Sequence, residues 1–402
     1  MKKILILGVG AAQLNLIREA KNLGYHVTVC DMRAESEGAK LADSFYSVNY
    51  MNREEILKAA EREQVDGVIS NSEPAMLNVA WLSQRLGLPG NTEESVQTLL
   101  SKEKFRALQK KVGVFAPAHF VADSPKSLLN RARGMKYPVI VKPMESSGTR
   151  GTTRFDAYDE SNMTSAYRTC ADFSRNGLVT IEEYVRMNNL RVNDADVFVL
   201  GDEFLWDGWL WEDRSPDAPM LPMTEIYPMA LPDERKAEIR TTVEKILKGS
   251  SVRHGEYNVE TYYTEDNQVF VIEINPRQAG NYIPQLIEQH TGVSLTRLLV
   301  STAVNDMRYY EELKTYERQY NFVTLQVVFS KRDGIFKELY LAPEIKQYVK
   351  WVDLCVHVGE KVVRGKNASE AVAYVNMQFD SYETQHHFTD SIEEYVYPLL
   401  SD

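Results

Sequence analysis

The first ninety residues alternate between apolar strand and amphipathic helix, and no other feature of the chain restricts the fold as much. Ile4–Leu7 is an unbroken apolar run followed by Gly8-Val9-Gly10. A helix is expected from about Ala11 to Leu23, ending at Gly24. Then come a strand at Val27–Cys30, Asp31, a helix over about Asn52–Glu63, a strand at Gly67–Ser70 and a helix over about Glu73–Leu86. This order predicts a small parallel sheet with ligands at the carboxyl ends of its strands. Gly8-Val9-Gly10 with Asp31 invites a dinucleotide site and hence an NAD-dependent oxidoreductase. The third glycine of that fingerprint is absent, because Gln13 stands there. A tight turn into a helix explains the two glycines without any cofactor.

A second feature lies in residues 255–280. Asp266-Asn267 is a turn signal flanked by β-branched and aromatic residues, so the segment reads as a β-hairpin. With a two-residue loop, Glu260 falls directly across from Glu273, and Asn258 across from Asn275. Residues two apart share a face, so these four polar side chains line one face. Val259, Thr261, Tyr263, Phe270, Ile272 and Ile274 are expected on the other. Opposed side chains have Cβ atoms about 4.5–5.5 Å apart, and like charges there are destabilising. A divalent cation removes the conflict, and oxygen ligands suit Mg²⁺. A solvated surface hairpin or a register shifted by one residue are the alternatives.

The chain has 402 residues, enough for two or three domains. Its net charge of −11 makes sequence-independent nucleic-acid binding a poor fit, so no nucleic-acid partner is expected. Three cysteines, Cys30, Cys170 and Cys355, form no metal spacing and point to a reducing, cytoplasmic setting. The lysine-bearing start is read as a first strand rather than a signal peptide, since the apolar run stops at Gly8. No apolar run is long enough to span a membrane.

Beyond residue 100, a helix is expected over residues 101–115, with Ser101 as N-cap and Gly113 as its stop. Strands are expected at about Ala118–Ala122, Val139–Lys142, Val179–Val185 and Val197–Leu200. A long loop over 206–228 follows, and after the hairpin a helix from about Pro284 to Asn305. The last ninety residues predict strands at Phe322–Phe329 and Lys350–His357 and a helix near Ala368–Asp380.

In chain order, several segments resemble the ATP-grasp superfamily. They are Lys102 before Gly113, Tyr137-Pro-Val-Ile-Val-Lys142-Pro143, the small-residue loop Met144–Thr153, Ile181-Glu182-Glu183-Tyr184-Val185, Glu260, and Glu273-Ile-Asn275-Pro-Arg277. The resemblance covers about residues 1–310. It implies an α/β and α+β chain: an N-terminal Rossmann-like parallel-sheet domain (1–95), an ATP-grasp domain (96–310) with a lid subdomain at about 115–184, and a C-terminal α+β domain (311–402). By this resemblance Lys102 and Lys142 neutralise ATP phosphates, with Lys104 competing chemically for the first role. Ser146, Ser147, Gly148, Thr149, Arg150 and Gly151 cradle phosphates through backbone N–H groups. Glu182, Glu183, Tyr184 and Val185 form the adenine hinge. Glu260, Glu273 and Asn275 ligate Mg²⁺, two ions being usual and Mn²⁺ an alternative. Arg277 lies by the transferred phosphoryl and the activated carboxylate, where guanidinium geometry suits bidentate contact. Many family members carry a further acid after the hinge; Asp194 and Asp196 are the alternatives here, and neither is assigned that role.

The residues after Arg277, Gln278-Ala-Gly280-Asn-Tyr-Ile-Pro, look most like the L-amino acid ligases of the bacilysin type. The implied reaction is ATP-dependent, ADP-forming ligation of a carboxylate to an amine through an acyl phosphate, both partners small molecules. A bicarbonate- or formate-activating enzyme of the purine type and a non-catalytic ATP-binding module are the alternatives. A homodimer follows from family analogy alone. Glu73 and Gly280 are substrate candidates. Glu73 could receive a substrate ammonium or serve as a helix N-terminal acid. Trp206, Trp209 and Trp211 line a pocket or cover a core edge, and His254 reads best as structural.

Overall fold

The computed structural model describes residues 1–144, 151–174, 176–189, 191–215 and 221–401. The alternating N-terminal segment forms β1 (Lys3–Leu7), α1 (Ala11–Asn22), β2 (His26–Asp31), α2 (Glu37–Leu41), β3 (Ser44–Ser47), α3 (Arg53–Glu63), β4 (Gly67–Ile69) and α4 (Met76–Leu86). The strands pair in parallel in the order β3-β2-β1-β4. The unbroken apolar run of β1 has a physical cause, because both of its faces are covered. Ile4 and Ile6 pack with Leu16 and Ile17 of α1, whereas Leu5 and Leu7 pack with Ile56, Val79 and Leu82.

Two helices lead onward, α5 (Glu93–Leu100) and α6 (Lys102–Lys111). Ser101 caps α6 as expected, its hydroxyl accepting from Lys104 N–H. A small layer follows: β5 (His119–Ala122), α7 (Pro125–Ala132), β6 (Val139–Pro143), β7 (Thr153–Phe155), α8 (Glu160–Phe173) and β8 (Val179–Glu183). Its four strands run antiparallel in the order β5-β8-β6-β7 over a core of their own.

Next come β9 (Arg191–Leu200), β10 (Glu203–Arg214), β11 (Pro222–Tyr227), α9 (Asp233–Ser250), β12 (His254–Tyr263), β13 (Val269–Asn275), α10 (Ile283–Thr291), α11 (Leu295–Ala303) and α12 (Arg308–Leu313). The remainder is β14 (Phe322–Val328), β15 (Gly334–Leu341), β16 (Val349–Leu354), β17 (Lys361–Val362), β18 (Ala373–Phe379), α13 (Tyr382–Thr389), α14 (Ile392–Tyr395) and β19 (Val396–Ser401). Eight strands build one antiparallel sheet in the order β13-β12-β9-β10-β11-β14-β18-β16, and β17-β15-β19 form a small second sheet. One face of the large sheet packs Val197, Val259 and Ile274 against α9 and α6. The other packs Phe198, Leu210, Tyr227 and Leu325 against α10 and α11, and α11 also touches α1. The expected parallel α/β unit joined to antiparallel α+β layers is therefore present.

Three expectations are corrected, and one element is new. The segment 206–228 contains strands β10 and β11 rather than one long loop. The segment near Ala368–Asp380 is strand β18, because Ala373–Phe379 is paired on both sides, by β14 and β16. The helix expected over Pro284–Asn305 is two helices. Gly292 ends the first in a left-handed conformation, and Ser294 caps the second. The longest helix, α9, was not read from the sequence, although Ile239, Val243, Ile246 and Leu247 give it a buried face at helical spacing.

The hairpin is β12–β13, and Glu260 does face Glu273, with Asn258 facing Asn275. The route to that register differs from the expected one. Thr264 N–H donates to the Gln268 carbonyl and Asn267 N–H to the Thr264 carbonyl, with Asn267 left-handed, so the loop has three residues. That loop shifts the pairing by one, so Tyr262 opposes Phe270. A bulge at Ile272 then restores it before Glu273 is reached. Consequently Phe270 leaves the face of Val259 and packs edge-on against Phe115 and Tyr262.

Candidate active site

Lys142 sits near the end of β6 and donates to Glu182 Oε1 on the neighbouring β8 at 2.9 Å. Arg106 of α6 grips the same carboxylate from the other side, Nε to Oε2 at 2.7 Å and Nη2 to Oε1 at 3.3 Å. Burial alone would raise the Glu182 pKa, but Arg106 and Lys142 outweigh it and hold the carboxyl well below its usual range. Burial pulls the Lys142 ammonium below its ordinary value, and Glu182 opposes that pull. Arg106 also donates to the carbonyl of Ile272, the bulge residue, at 3.0 Å, and lies over the Phe270 ring. One buried guanidinium thus ties α6, β8 and the irregular part of β13 together. Arg106 escaped notice in the sequence, where it is one of many basic residues on an amphipathic helix.

Lys102, at the first turn of α6, points its ammonium toward the Met144 carbonyl at 3.5 Å and acts electrostatically on Glu273. Lys104 turns the opposite way, onto Gln97 Oε1 at 2.9 Å. The geometry therefore separates the two lysines that sequence chemistry left equal.

The hinge segment presents specific backbone groups. Glu183 N–H donates to the Ala118 carbonyl at 2.9 Å, and Tyr184 N–H to the Pro138 carbonyl. A hydrogen-bonded antiparallel pair normally exchanges two bonds. Here Ala118 N–H goes instead to Glu183 Oε2 at 3.2 Å, which spares the Glu183 carbonyl. The Val185 carbonyl is held by the Tyr262 hydroxyl at 2.6 Å.

The glutamate rung lies between these lysines and Arg277. Burial and the facing Glu273 push the Glu260 pKa up to about 7, while Arg214 Nη2 at 3.3 Å moderates the rise. Glu273 moves the other way. Burial would raise it, but Lys102, the Asn275 amide at 2.7 Å and Arg277 together lower it. Arg277 follows β13 and donates to the Gln278 carbonyl, and its Nη2 lies 4.0 Å from Glu73 Oε2. Glu73 stands in the first turn of the short 3-10 segment that leads into α4, in keeping with the helix N-terminal reading, and it also faces Arg277 from the N-terminal sheet. Gly280 stands beside open space, since a Cβ there would meet nothing within 4 Å.

Ser146, Ser147, Gly148, Thr149 and Arg150 lie outside the described residues. Gly151, just after them, has φ +76, and a Cβ would come within 2.9 Å of Phe173, so only glycine suits the position. Asp31 is occupied by Arg33 through two side-chain bonds and by Val9 N–H, which leaves it serving its own turn. His254 is neutral and structural: burial lowers its pKa to about 4, and Nε2 bonds the Thr302 hydroxyl. Trp206 and Trp209 stack on each other against the α9 side of the sheet and cover a core edge.

Among the described residues no three acidic, histidine or cysteine side chains form a ready-made metal cage. Two facing carboxylates with an adjacent amide are nonetheless a donor set that fits Mg²⁺, which typically takes one or two carboxylates and fills its remaining positions with phosphate and water oxygens. The raised Glu260 supports the fit, because a cation there offsets both the burial of its charge and the repulsion from Glu273 that raise it. None of the described helices is long and apolar enough to cross a membrane.

A family model described as the ATP-grasp N-terminal domain matches residues 17–90. The carbamoyl phosphate synthase large chain of Thermotoga sp. strain RQ2 is 26% identical over 265 residues, covering 62% of this chain and 22% of that protein. The chain spans less than two thirds of the length of the curated relatives it matches, 63% at most among the first of them. Among solved structures, an L-amino acid ligase from Bacillus licheniformis superposes with a TM-score of 0.83 at 18% identity, covering 100% of this chain and 99% of that one. The biotin carboxylase domain of the 2-oxoglutarate carboxylase from Hydrogenobacter thermophilus, solved with MgADP, ADP and bicarbonate, gives 0.71 at 18% identity, covering 100% and 91%. Similarity at this level of identity establishes the shared architecture.

Proposed function

We propose, from the premise that this chain is an ATP-grasp protein by fold, that it is an ATP-dependent, ADP-forming ligase joining a small carboxylate to an amine. The observation that carries this reading is the convergence of Lys102, Lys142 and Arg277 around the Glu260–Glu273 rung. The three cations complement a polyphosphate, and the rung supplies oxygen ligands for the Mg²⁺ that accompanies it. When bound, Mg²⁺ neutralises phosphate charge during transfer. Two ions are proposed, with Mn²⁺ able to replace them.

The roles of the chain's own residues follow from their surroundings. At the hinge, the spared Glu183 carbonyl suits the adenine amino group, and the Val185 N–H suits its ring nitrogen. Lys142 is held in place by Glu182 and contributes charge at the phosphates. Residues 146–151 cover those phosphates in this reading. Arg277, steadied near Glu73, orients the substrate carboxylate whose oxygen attacks the terminal phosphoryl group. A carboxylate is a weak nucleophile, so positioning and charge neutralisation supply most of the acceleration. The amine then attacks the acyl phosphate, forming the C–N bond and expelling phosphate. The division into 1–95, 96–310 and 311–402 is proposed with β14, β16 and β18 extending the central sheet. A homodimer is proposed by analogy.

Incubation with Mg-ATP and a matrix of amino acid pairs tests the reading. ADP and phosphate released only when a carboxylate and an amine are both present supports it. AMP as product sinks the acyl-phosphate route, and ADP release driven by bicarbonate or formate transfers the protein to the purine-type reading.

A further inference from the structure

Five more carboxylates share the sheet face of the glutamate rung: Asp194, Asp196, Glu212, Glu225 and Glu256, each 5% exposed or less. Asp194 directly opposes Glu260, so β13, β12 and β9 carry three acids in one row. On the next pair of strands Glu212 opposes Glu225. Among the described residues only Arg214 forms an ion pair with any of the five, and it does so with Glu212. Asp196 and Glu256 act electrostatically on each other, although both Asp196 oxygens have no hydrogen-bond partner among the described residues. Asp194 accepts from the Asn258 amide at 2.9 Å, and Glu225 stands at the β11 end of the group.

Polar atoms that are not acids point into the same place. The Tyr227 hydroxyl and both polar atoms of Asn376 are fully buried and have no hydrogen-bond partner among the described residues; both Glu225 oxygens share that condition. Tyr227 follows Glu225 by two on β11, and Leu325 alone separates Glu225 from Asn376 across the sheet. Buried polar groups are nearly always hydrogen-bonded, so a group of orphans marks a place where a partner belongs. Asn281 approaches Glu225 without reaching hydrogen-bond geometry. Aromatic rings close the far side: Tyr282 lies 4.9 Å from Trp351 and 5.4 Å from Tyr374, and Tyr374 is within electrostatic range of Glu225. Carboxylates beside aromatic faces are the chemistry that recognises an alkylammonium. Gly280, next to Asn281, stands beside open space.

We propose that this interior is the seat of the amine substrate and that the substrate is cationic, a linear diamine or an amino acid with a basic side chain, its ammonium held by Glu225. The proposal rests on the ligase reading and narrows its substrate class. The amine that attacks must be neutral to offer its lone pair, so the cation at Glu225 is a second group on the same molecule. The attacking nitrogen forms the C–N bond, the acyl C–O bond breaks, and the released proton leaves with phosphate or with a neighbouring carboxylate.

Calorimetric titration of lysine and of its neutral isostere norleucine, without nucleotide, tests the seat directly. Lysine is expected to bind at least about tenfold tighter than norleucine. Glu225→Gln removes the preference and leaves Mg-ADP binding unchanged. Tyr227→Phe, which deletes a single oxygen, weakens lysine severalfold and serves if the first variant does not fold. Equal binding of both ligands, no binding of either, or a preference that survives Glu225→Gln overturns the proposal. ADP release in the presence of Mg-ATP and a second carboxylate separates the two ideas. If lysine preference is present but no carboxylate–amine pair yields ADP, the ligase reading alone fails. If neutral amines yield ADP equally in wild type and Glu225→Gln, the cationic substrate alone fails.

Discussion

Arg106 holds both oxygens of Glu182, at 2.7 and 3.3 Å, and so fastens α6 to the small antiparallel layer through one buried ion pair. Lys142 uses the same carboxylate at 2.9 Å. Breaking a buried pair costs about 3–5 kcal/mol when the remaining charge has no other partner, and here Lys142 stays on Glu182. Arg106→Ala is therefore expected to lower the urea-unfolding free energy by about 2–3 kcal/mol, below that full amount. A loss within about 1 kcal/mol, the range of an exposed pair, contradicts the assignment.

Glu260→Gln removes a like charge facing Glu273. Without ligand the variant should be as stable as the wild type or more so, because the buried charge and its repulsion with Glu273, which together raise Glu260, are gone. The stabilisation conferred by Mg-ADP should shrink and the rate of ADP formation should fall by about two orders of magnitude. Thermal shift with and without Mg-ADP, beside an ADP assay, gives both quantities. A full Mg-ADP shift in the variant excludes Glu260 as a ligand.

The bulge at Ile272 compensates the three-residue loop at 265–267. Deleting Ile272 is expected to leave a regular hairpin in which Glu273 still opposes Glu260 and Asn275 keeps its face, because Val271 already pairs with Thr261. Mg-ADP stabilisation should persist, while stability falls as Arg106 loses the Ile272 carbonyl. Loss of the Mg-ADP shift in a variant whose circular dichroism still reports strand contradicts this register.

The pH dependence has a definite sign. Burial raises Glu256 to about 7 and lifts Asp196 and Glu225 well above the usual range. In that window the folded protein binds more protons than the unfolded chain, so stability is present below the ordinary carboxylate pKa and declines as pH rises through about 7. Glu182 works oppositely, but its loss comes only as pH falls below the ordinary carboxylate range. The melting temperature should therefore fall between about pH 5 and pH 8. Glu256→Gln should flatten part of that slope. A melting temperature that rises over the same interval contradicts these shifts.

Much of the site was legible because its signals are local. Ser101 before α6, Lys142 at the end of an apolar strand and the pairing of Glu260 with Glu273 each depend on residues close in sequence or on one hairpin. The pairing was expected for an incomplete reason, since two irregularities cancel. Arg106 was illegible because its partners Glu182 and Ile272 are 76 and 166 residues away. Glu73 beside Arg277 is the same case, joining the N-terminal sheet to the end of β13.

The sequence by itself determined the parallel N-terminal unit, whose periodicity admits few alternatives, and the two glutamates that must share a rung. Tertiary structure decided the rest. Residues 373–379 are a strand because neighbours hydrogen-bond them on both sides. Glu212, Glu225 and Asp194, scattered over thirty-two positions, meet because β9, β10 and β11 are adjacent. Local propensity acts over a few residues, whereas the company a buried charge keeps is set by which strands the sheet places side by side.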